Sequence, residues 1–208
     1  MEGIEGSGKT TQMSVLEHRL RKKGLAVHRT REPGGTVLGD AIRAIILRPD
    51  HSEMAPVTEL FLIEACRAQH VHEVLRASLK RGDVILCDRY TDATLAYQGH
   101  GRGLDFDLVR AMNHTAAGGL IPDLTILLDC PVELGLDRSW LRLRVEDKVG
   151  MESRFENEAM AFHSRVREGY LSIAREEPHR VKVVDASRLP EVVEKAIWDR
   201  VSEYLSVR

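Results

Sequence analysis

Gly3-Ile4-Glu5-Gly6-Ser7-Gly8-Lys9-Thr10 is the stretch on which the fold turns. It satisfies the pattern G-x-x-x-x-G-K-[ST] and runs directly into a helical repeat in which Met13, Leu16 and Leu20 form one stripe before Gly24. The glycines let the backbone curl until successive N–H groups face one anion. The helix behind them adds the positive end of its dipole, Lys9 a point charge, and the Thr10 hydroxyl a ligand for Mg²⁺. Gly3, Ile4, Glu5, Gly6, Ser7, Gly8, Lys9 and Thr10 are therefore expected to cradle the phosphates of a nucleotide such as ATP. From average residue usage, a chance match in a chain of this size has a probability of roughly one per cent. Such a loop ordinarily follows a buried strand of about five residues, and only Met1 and Glu2 precede it here. The expectation is a further apolar strand upstream of Met1.

Working outward, apolar runs at 25–30, 84–87, 124–128 and 181–184 are short and rich in branched residues, which predicts buried strands. Helical spacing predicts helices at about 57–80, 105–116, 131–144 and 190–205, with Pro131 and Pro190 suited to first turns. A further stripe joins Phe155, Ala159, Phe162, Val166, Tyr170 and Ile173. Strand and helix alternate, so the predicted fold class is α/β: parallel strands covered by helices on both faces. No repeat or Pro/Gly-rich linker divides the 208 residues, which favours one domain. The segment from Val145 to Ser153 interrupts two helical patterns and is predicted to be a mobile loop.

Composition narrows the function. Lys plus Arg total 30 against 32 Asp plus Glu, so the formal charge of -2 provides no bulk field for nucleic acid or an anionic membrane. Phosphate recognition must be local. No apolar run approaches the roughly 20 residues needed to cross a bilayer, and Glu2, Glu5, Lys9 and Glu17 fall where a signal peptide would be hydrophobic, which points to the cytoplasm. Cys66, Cys87 and Cys130 are odd in number and lack C-x-x-C spacing, and the nine histidines have no zinc-ligand spacing, so no structural metal is expected.

Three further groups carry chemistry. Glu5 would repel the phosphates that its neighbours bind, so it is expected to turn toward a neutral donor such as a sugar hydroxyl; a solvated loop carboxylate is the alternative. Asp88-Arg89-Tyr90 ends an apolar strand at the edge where open α/β sheets hold ligands. Asp88 there suits Mg²⁺ or its water, and Arg89 suits a second phosphate through bidentate contacts, with a strand-end salt bridge as the alternative. Arg31-Glu32-Pro33-Gly34-Gly35-Thr36 ends at the same edge, and Arg67 lies among Phe61, Leu62 and Ala65 as either a paired core cation or a ligand arm.

Six stretches in register, E-G-I-E-G-S-G-K-T-T-Q, T-R-E-P-G-G-T, R-A-Q-H, D-R-Y, A-Y-Q-G-H-G-R-G and F-H-S-R-V-R-E-G-Y-L, together resemble the bacterial thymidylate kinases over almost the whole chain. The resemblance implies a P-loop nucleoside monophosphate kinase fold with a five-stranded parallel sheet, whose first strand is absent from this sequence, in a single domain at 1–208 with a lid at about 138–154. It implies transfer of the γ-phosphoryl of ATP to thymidine monophosphate, with Mg²⁺ held by Thr10 and Asp88, in dTTP biosynthesis, by a cytoplasmic homodimer. By motif position, Glu5 would meet the deoxyribose 3′-hydroxyl and Arg89 the acceptor phosphate. Glu32, Arg43, Ile63, Arg67, Thr94 and Gln98 would line the acceptor pocket, with Arg67, Thr94 and Gln98 nearest the base.

Two departures matter. Ile63 stands where the family generally stacks a phenylalanine and gives apolar contact without a π face, which implies weaker base affinity unless Phe61 or another ring reaches the pocket. The phosphate loop carries Ser7 and no arginine, so the lid is expected to bring the charge: Arg138, Arg142, Arg144 and Arg154 flank it, with Arg142 and Arg154 assigned to catalysis beside Lys9, Asp88 and Arg89. The competing readings are a kinase for another pyrimidine monophosphate and a P-loop switch or assembly ATPase that acts on a protein partner.

Overall fold

The computed structural model describes residues 1–206. Its four strands, β1 (Val27–Arg31), β2 (Val84–Asp88), β3 (Thr125–Asp129) and β4 (Val181–Asp185), lie where the branched apolar runs predict them, each ending one residue later. The added residues are Arg31, Asp88, Asp129 and Asp185, and they pair in the ladders as Arg31 with Asp88 and Asp129 with Asp185. Backbone pairing is indifferent to side-chain polarity, so apolar patterning stops short of the true strand end. Ile126, Leu127 and Leu128 are all buried, as a strand covered on both faces requires.

β1 pairs in parallel with β2, and β3 with β4. Residues 1–2 join the two halves. The Met1 ammonium donates to Cys87 O at 2.9 Å and Arg89 N to Met1 O at 3.0 Å, while Glu2 N donates to Ile126 O and Leu128 N to Glu2 O, both at 2.8 Å. Met1 and Glu2 thus occupy the position of a central strand between β2 and β3, as an isolated bridge rather than a strand of its own. The spatial order is β1, β2, residues 1–2, β3, β4, and the phosphate loop leaves from the middle of this array.

α1 (Lys9–Lys22) starts directly from the loop and packs on α10 (Pro190–Ser206). Thr36 caps α2 (Val37–Leu47) by accepting from Gly39 N at 2.8 Å. α3 (Pro56–His70) passes through one wide turn, Val71–Leu75, into α4 (Arg76–Lys80), so the helix expected at 57–80 is continuous but not regular. α6 (Phe106–Ala117) and α7 (Val132–Val145) are each displaced by one residue from expectation.

Three features differ from the sequence reading. The loop expected at Val145 to Ser153 contains a short helix, α8 (Val149–Glu152). The stripe beginning at Phe155 belongs to α9 (Met160–Glu176) only from Phe162 onward, because Phe155 and Ala159 lie in the turns before it. α5 (Thr91–Thr94), which continues as a wide helical turn through Leu95–Gly101, was not legible at all, since its Gly-His-Gly-Arg-Gly end reads as loop. Close packing explains those glycines: a Cβ on Gly101 would stand 2.7 Å from Phe162 of α9, and one on Gly99 would stand 2.8 Å from Phe106.

Candidate active site

The phosphate loop needs glycine where its backbone is left-handed and crowded. Gly6 has φ 64°, and a Cβ there would lie 1.9 Å from Gly135 O. Lys9 folds over the loop that carries it, donating from Nζ to Gly3 O at 2.9 Å, Ile4 O at 2.8 Å and Ser7 Oγ at 3.3 Å. Burial, aided by the Arg89 charge, lowers the ammonium to about 8, against the opposing pull of Asp88, Glu5 and Glu2. Phosphates arriving at this lysine favour its charged form. Near pH 9, where the ligand-free lysine is largely neutral, ATP binding is therefore expected to take up close to one proton, and affinity is expected to fall as pH rises through 8. Calorimetry in two buffers of different ionisation enthalpy measures the uptake, and none at pH 9 would contradict this environment for Lys9.

Glu5 turns away from the loop amides, as electrostatics requires. Its Oε1 accepts from the Tyr97 hydroxyl at 2.5 Å and from Arg89 Nη2 at 3.1 Å, and its Oε2 lies 3.5 Å from His163 Nδ1. Burial alone would raise the carboxyl, but His163, Arg89 and Lys9 outweigh it and hold the group well below the ordinary carboxylate range. The result is an ionised acceptor on the cavity wall. Arg89 has a left-handed backbone, φ 66°, which turns its side chain back to donate to Gly3 O and the Tyr170 hydroxyl, both at 3.0 Å, while its guanidinium lies over the Tyr97 ring at 4.8 Å.

Asp88 is different in kind. Its Oδ1 is buried and has no hydrogen-bond partner among the described residues. Asp88 and the exposed Thr10 line the same cavity. Two hard oxygen donors, one of them lacking a partner, fit the ligand preference of Mg²⁺.

That cavity, about 520 Å³, gathers most of the residues singled out from sequence: Glu5, Gly6, Ser7, Gly8, Lys9, Thr10, Glu32, Arg43, Ile63, Arg67, Asp88, Arg89, Thr94 and Gln98. Gly3 and Ile4 are not on its wall. They lie underneath it, with their carbonyls spent on Lys9 and the Ile4 side chain in the core.

Arg67 proves to be a core cation and a wall residue at once. Its Nε donates to Glu32 at 2.8 Å, Nη1 to Glu64 at 2.9 Å and to Asn113, and Nη2 to Thr94 at 3.0 Å. A guanidinium has five N–H donors, so one Nη2 hydrogen has no partner among the described residues, in a side chain that lines the cavity. Burial would lower its pKa, but Glu32 and Glu64 raise it, so the charge is permanent.

Ile63 lines the cavity without a π face. Phe61 is 58% exposed and takes no part in the cavity, whereas Tyr97 and Phe155 line it, edge to face at 5.5 Å between centroids. Neither was singled out as a site residue by sequence reading, although Tyr97 adjoins Gln98 in a quoted motif and Phe155 follows Arg154.

The four lid arginines separate by helical geometry. Arg138 and Arg142, four apart on α7, share a face and line the cavity. Arg142 is weakly held, 3.5 Å from Glu146 and from Ser139, and its side chain is 45% exposed. Arg144 instead lines a shallow surface depression with Asp137, Trp140 and Leu141. Arg154 corrects the expectation of a catalytic arm. It is buried and absent from the cavity wall, pairing with Glu59 at 2.7 Å and donating to His51 O at 3.0 Å and Ile46 O at 3.2 Å. A carbonyl-rich pocket at the end of α2 claims its donors before any phosphate can.

A family model described as "Thymidylate kinase" matches residues 1–197. The chain is 51% identical over 210 residues to a thymidylate kinase from Syntrophotalea carbinolica, covering 100% of this chain and 95% of that one. It is 52% identical over 198 residues to a thymidylate kinase from Geobacter sulfurreducens, covering 95% and 92%. Among solved structures, the crystal structure of thymidylate kinase from Ehrlichia chaffeensis superposes with a TM-score of 0.76 at 30% identity, covering 96% of this chain and 95% of that one.

Proposed function

The chain belongs to the thymidylate kinase family, and from that premise we infer how its cavity works. It is a nucleoside monophosphate kinase that phosphorylates thymidine monophosphate to the diphosphate in nucleotide biosynthesis. The observation that carries the reading is one cavity lined both by a phosphate loop, Gly6 to Thr10, and by Ile63, Arg67, Thr94, Gln98 and Phe155. A donor and an acceptor nucleotide fit such a space with their phosphates meeting within it.

In this proposal ATP is the donor, its triphosphate on the loop amides and Lys9. Glu5 accepts the sugar hydroxyl, and Arg43 and Arg89 face the acceptor phosphate. Mg²⁺, held by Thr10 and Asp88, would neutralise charge on the donor's phosphate oxygens. Phosphoryl transfer asks for alignment and positive charge rather than covalent work, so Lys9, Arg89, Arg142 and Arg138 act as electrostatic partners. Residues 138–154 form the lid. It rests on the acceptor side through Arg43–Glu152 at 3.7 Å and through Arg154 N, which donates to Leu47 O at 3.2 Å. Closure there excludes water and favours transfer over hydrolysis.

A panel of thymidylate, uridylate, cytidylate and adenylate tests the reading, with thymidylate expected to give the highest kcat/KM. Equal rates with adenylate would reject it.

We also propose a homodimer. Phe61 and Val57 of α3 and Leu108 of α6 are exposed apolar side chains on two helices that pack together. Phe61→Glu is expected to shift the protein to monomer in sedimentation velocity, and an unchanged dimer would exclude this face. Among the described residues no helix is long and apolar enough to cross a membrane. The proposed place of action is the cytoplasm, where ATP and nucleoside monophosphates occur.

A further inference from the structure

We propose that Glu59 decides which pyrimidine the cavity accepts, by fixing the orientation of the Gln98 amide; the proposal rests on the thymidylate reading of that cavity. Glu59 lies on α3 one turn before Ile63 and two turns before Arg67, so it shares their side of the helix. It is fully buried. Its Oε1 accepts from Gln98 Nε2 at 2.7 Å and Arg102 Nε at 3.1 Å, and its Oε2 accepts from Arg102 Nη2 at 3.0 Å and lies 2.7 Å from Arg154 Nη1. Burial would raise this carboxyl, but Arg102, Gln98 and Arg154 together hold it below its ordinary value.

An ionised carboxylate only accepts hydrogen bonds. Gln98 must therefore offer its NH₂ to Glu59. The opposite flip would set two oxygens against each other where no water could separate them. One Nε2 hydrogen is so committed, and Oε1, which accepts from no described residue, is the acceptor that Gln98 brings to the cavity it lines. Arg67 contributes its one uncommitted Nη2 hydrogen, a donor.

A donor beside an acceptor complements a base edge that presents a carbonyl oxygen beside a ring N–H, as thymine and uracil do. Cytosine presents an amino group beside an unprotonated ring nitrogen, which opposes donor to donor and acceptor to acceptor. In a buried site, such mismatches cost on the order of a hundredfold in kcat/KM or more. Glu59 touches no substrate in this scheme and is a positioning residue. Its second duty, holding Arg154 and with it the end of α2, ties the base end of the cavity to the lid.

The test compares deoxyuridylate with deoxycytidylate, which differ in this edge and not in a methyl group. The wild-type enzyme should favour deoxyuridylate by roughly a hundredfold. In Glu59→Gln the amide at 59 can donate as well as accept, Gln98 is free to turn, and the ratio should fall about tenfold or more. Glu59→Asp keeps an acceptor-only group and should retain the ratio even where total activity drops. If the uncompensated arginines prevent Glu59→Gln from folding, the charge-balanced variant Glu59→Gln/Arg154→Met carries the same test, because Arg102 keeps its partner Glu158 at 2.6 Å. Activities that fall in parallel with an unchanged ratio would overturn the role of Glu59. A wild-type enzyme inactive on thymidylate would instead overturn the reading beneath it.

Discussion

Arg142→Ala is expected to lower kcat with thymidylate about 10³-fold, the scale at which a charge on the transferring phosphoryl group acts, while KM for thymidylate changes little. The phosphate loop supplies one side-chain cation, Lys9, and its remaining positions are neutral or, at Glu5, acidic. Arg142 stands at the cavity wall, held only at 3.5 Å or beyond by Glu146, Ser139 and Glu156, so little has to break for it to swing toward a phosphate. Arg138, one turn earlier on the same face, is tethered to Ala186 O at 3.1 Å and should matter less. Arg144→Ala, whose side chain lies in the outer depression, should keep nearly wild-type turnover. Arg154→Ala should lose activity together with thermal stability, since its removal takes one of two arginines from the buried Glu59 carboxylate and leaves the Ile46 and His51 carbonyls without that donor. Single-turnover kinetics on the four variants separates these outcomes. Wild-type turnover in Arg142→Ala would remove the lid from the chemistry.

Arg67→Leu is expected to abolish measurable thymidylate phosphorylation and to destabilise the fold by ~3–5 kcal/mol, the cost of breaking a buried ionic network from one side. The guanidinium is 1% exposed and satisfies Glu32, Glu64, Thr94 and Asn113 together. Without it, two carboxylates face each other in an apolar setting. Glu64 already lies above its ordinary 4.5 because burial outweighs Arg67, and removal of Arg67 raises it further. A carboxyl whose folded-state pKa exceeds its unfolded value binds more protons when folded, so its support for the fold is complete below pH 4.5 and is lost as pH rises through the folded value. The variant should therefore melt higher at pH 5 than at pH 8. Melting independent of pH, with thymidylate turnover intact, would show that Arg67 is neither the network's centre nor part of the base wall.

The contrast between Arg67 and Arg154 shows what the sequence disclosed and where it stopped. The phosphate loop was legible because its mechanism requires particular residues at fixed spacing in one continuous run, and the strands because β3, buried on both faces, must be uniformly apolar. Glu5 was legible for the same reason: a carboxylate among phosphate-binding amides has to turn elsewhere. Arg154 flanks the expected lid, yet its role depends on the carbonyls of Ile46 and His51 and on Glu59, groups roughly a hundred positions away that no local pattern announces. Phe155 joins the cavity wall in the same non-local way. The turn at Leu95–Gly101 escaped because its glycines report contact with Phe106 and Phe162 rather than a loop.

The most direct test of the account is coupled ADP release with ATP and Mg²⁺, titrated with thymidylate. Saturable release that depends on thymidylate, with a low basal rate without it, is the expected result. Steady hydrolysis unaffected by any nucleoside monophosphate would contradict it.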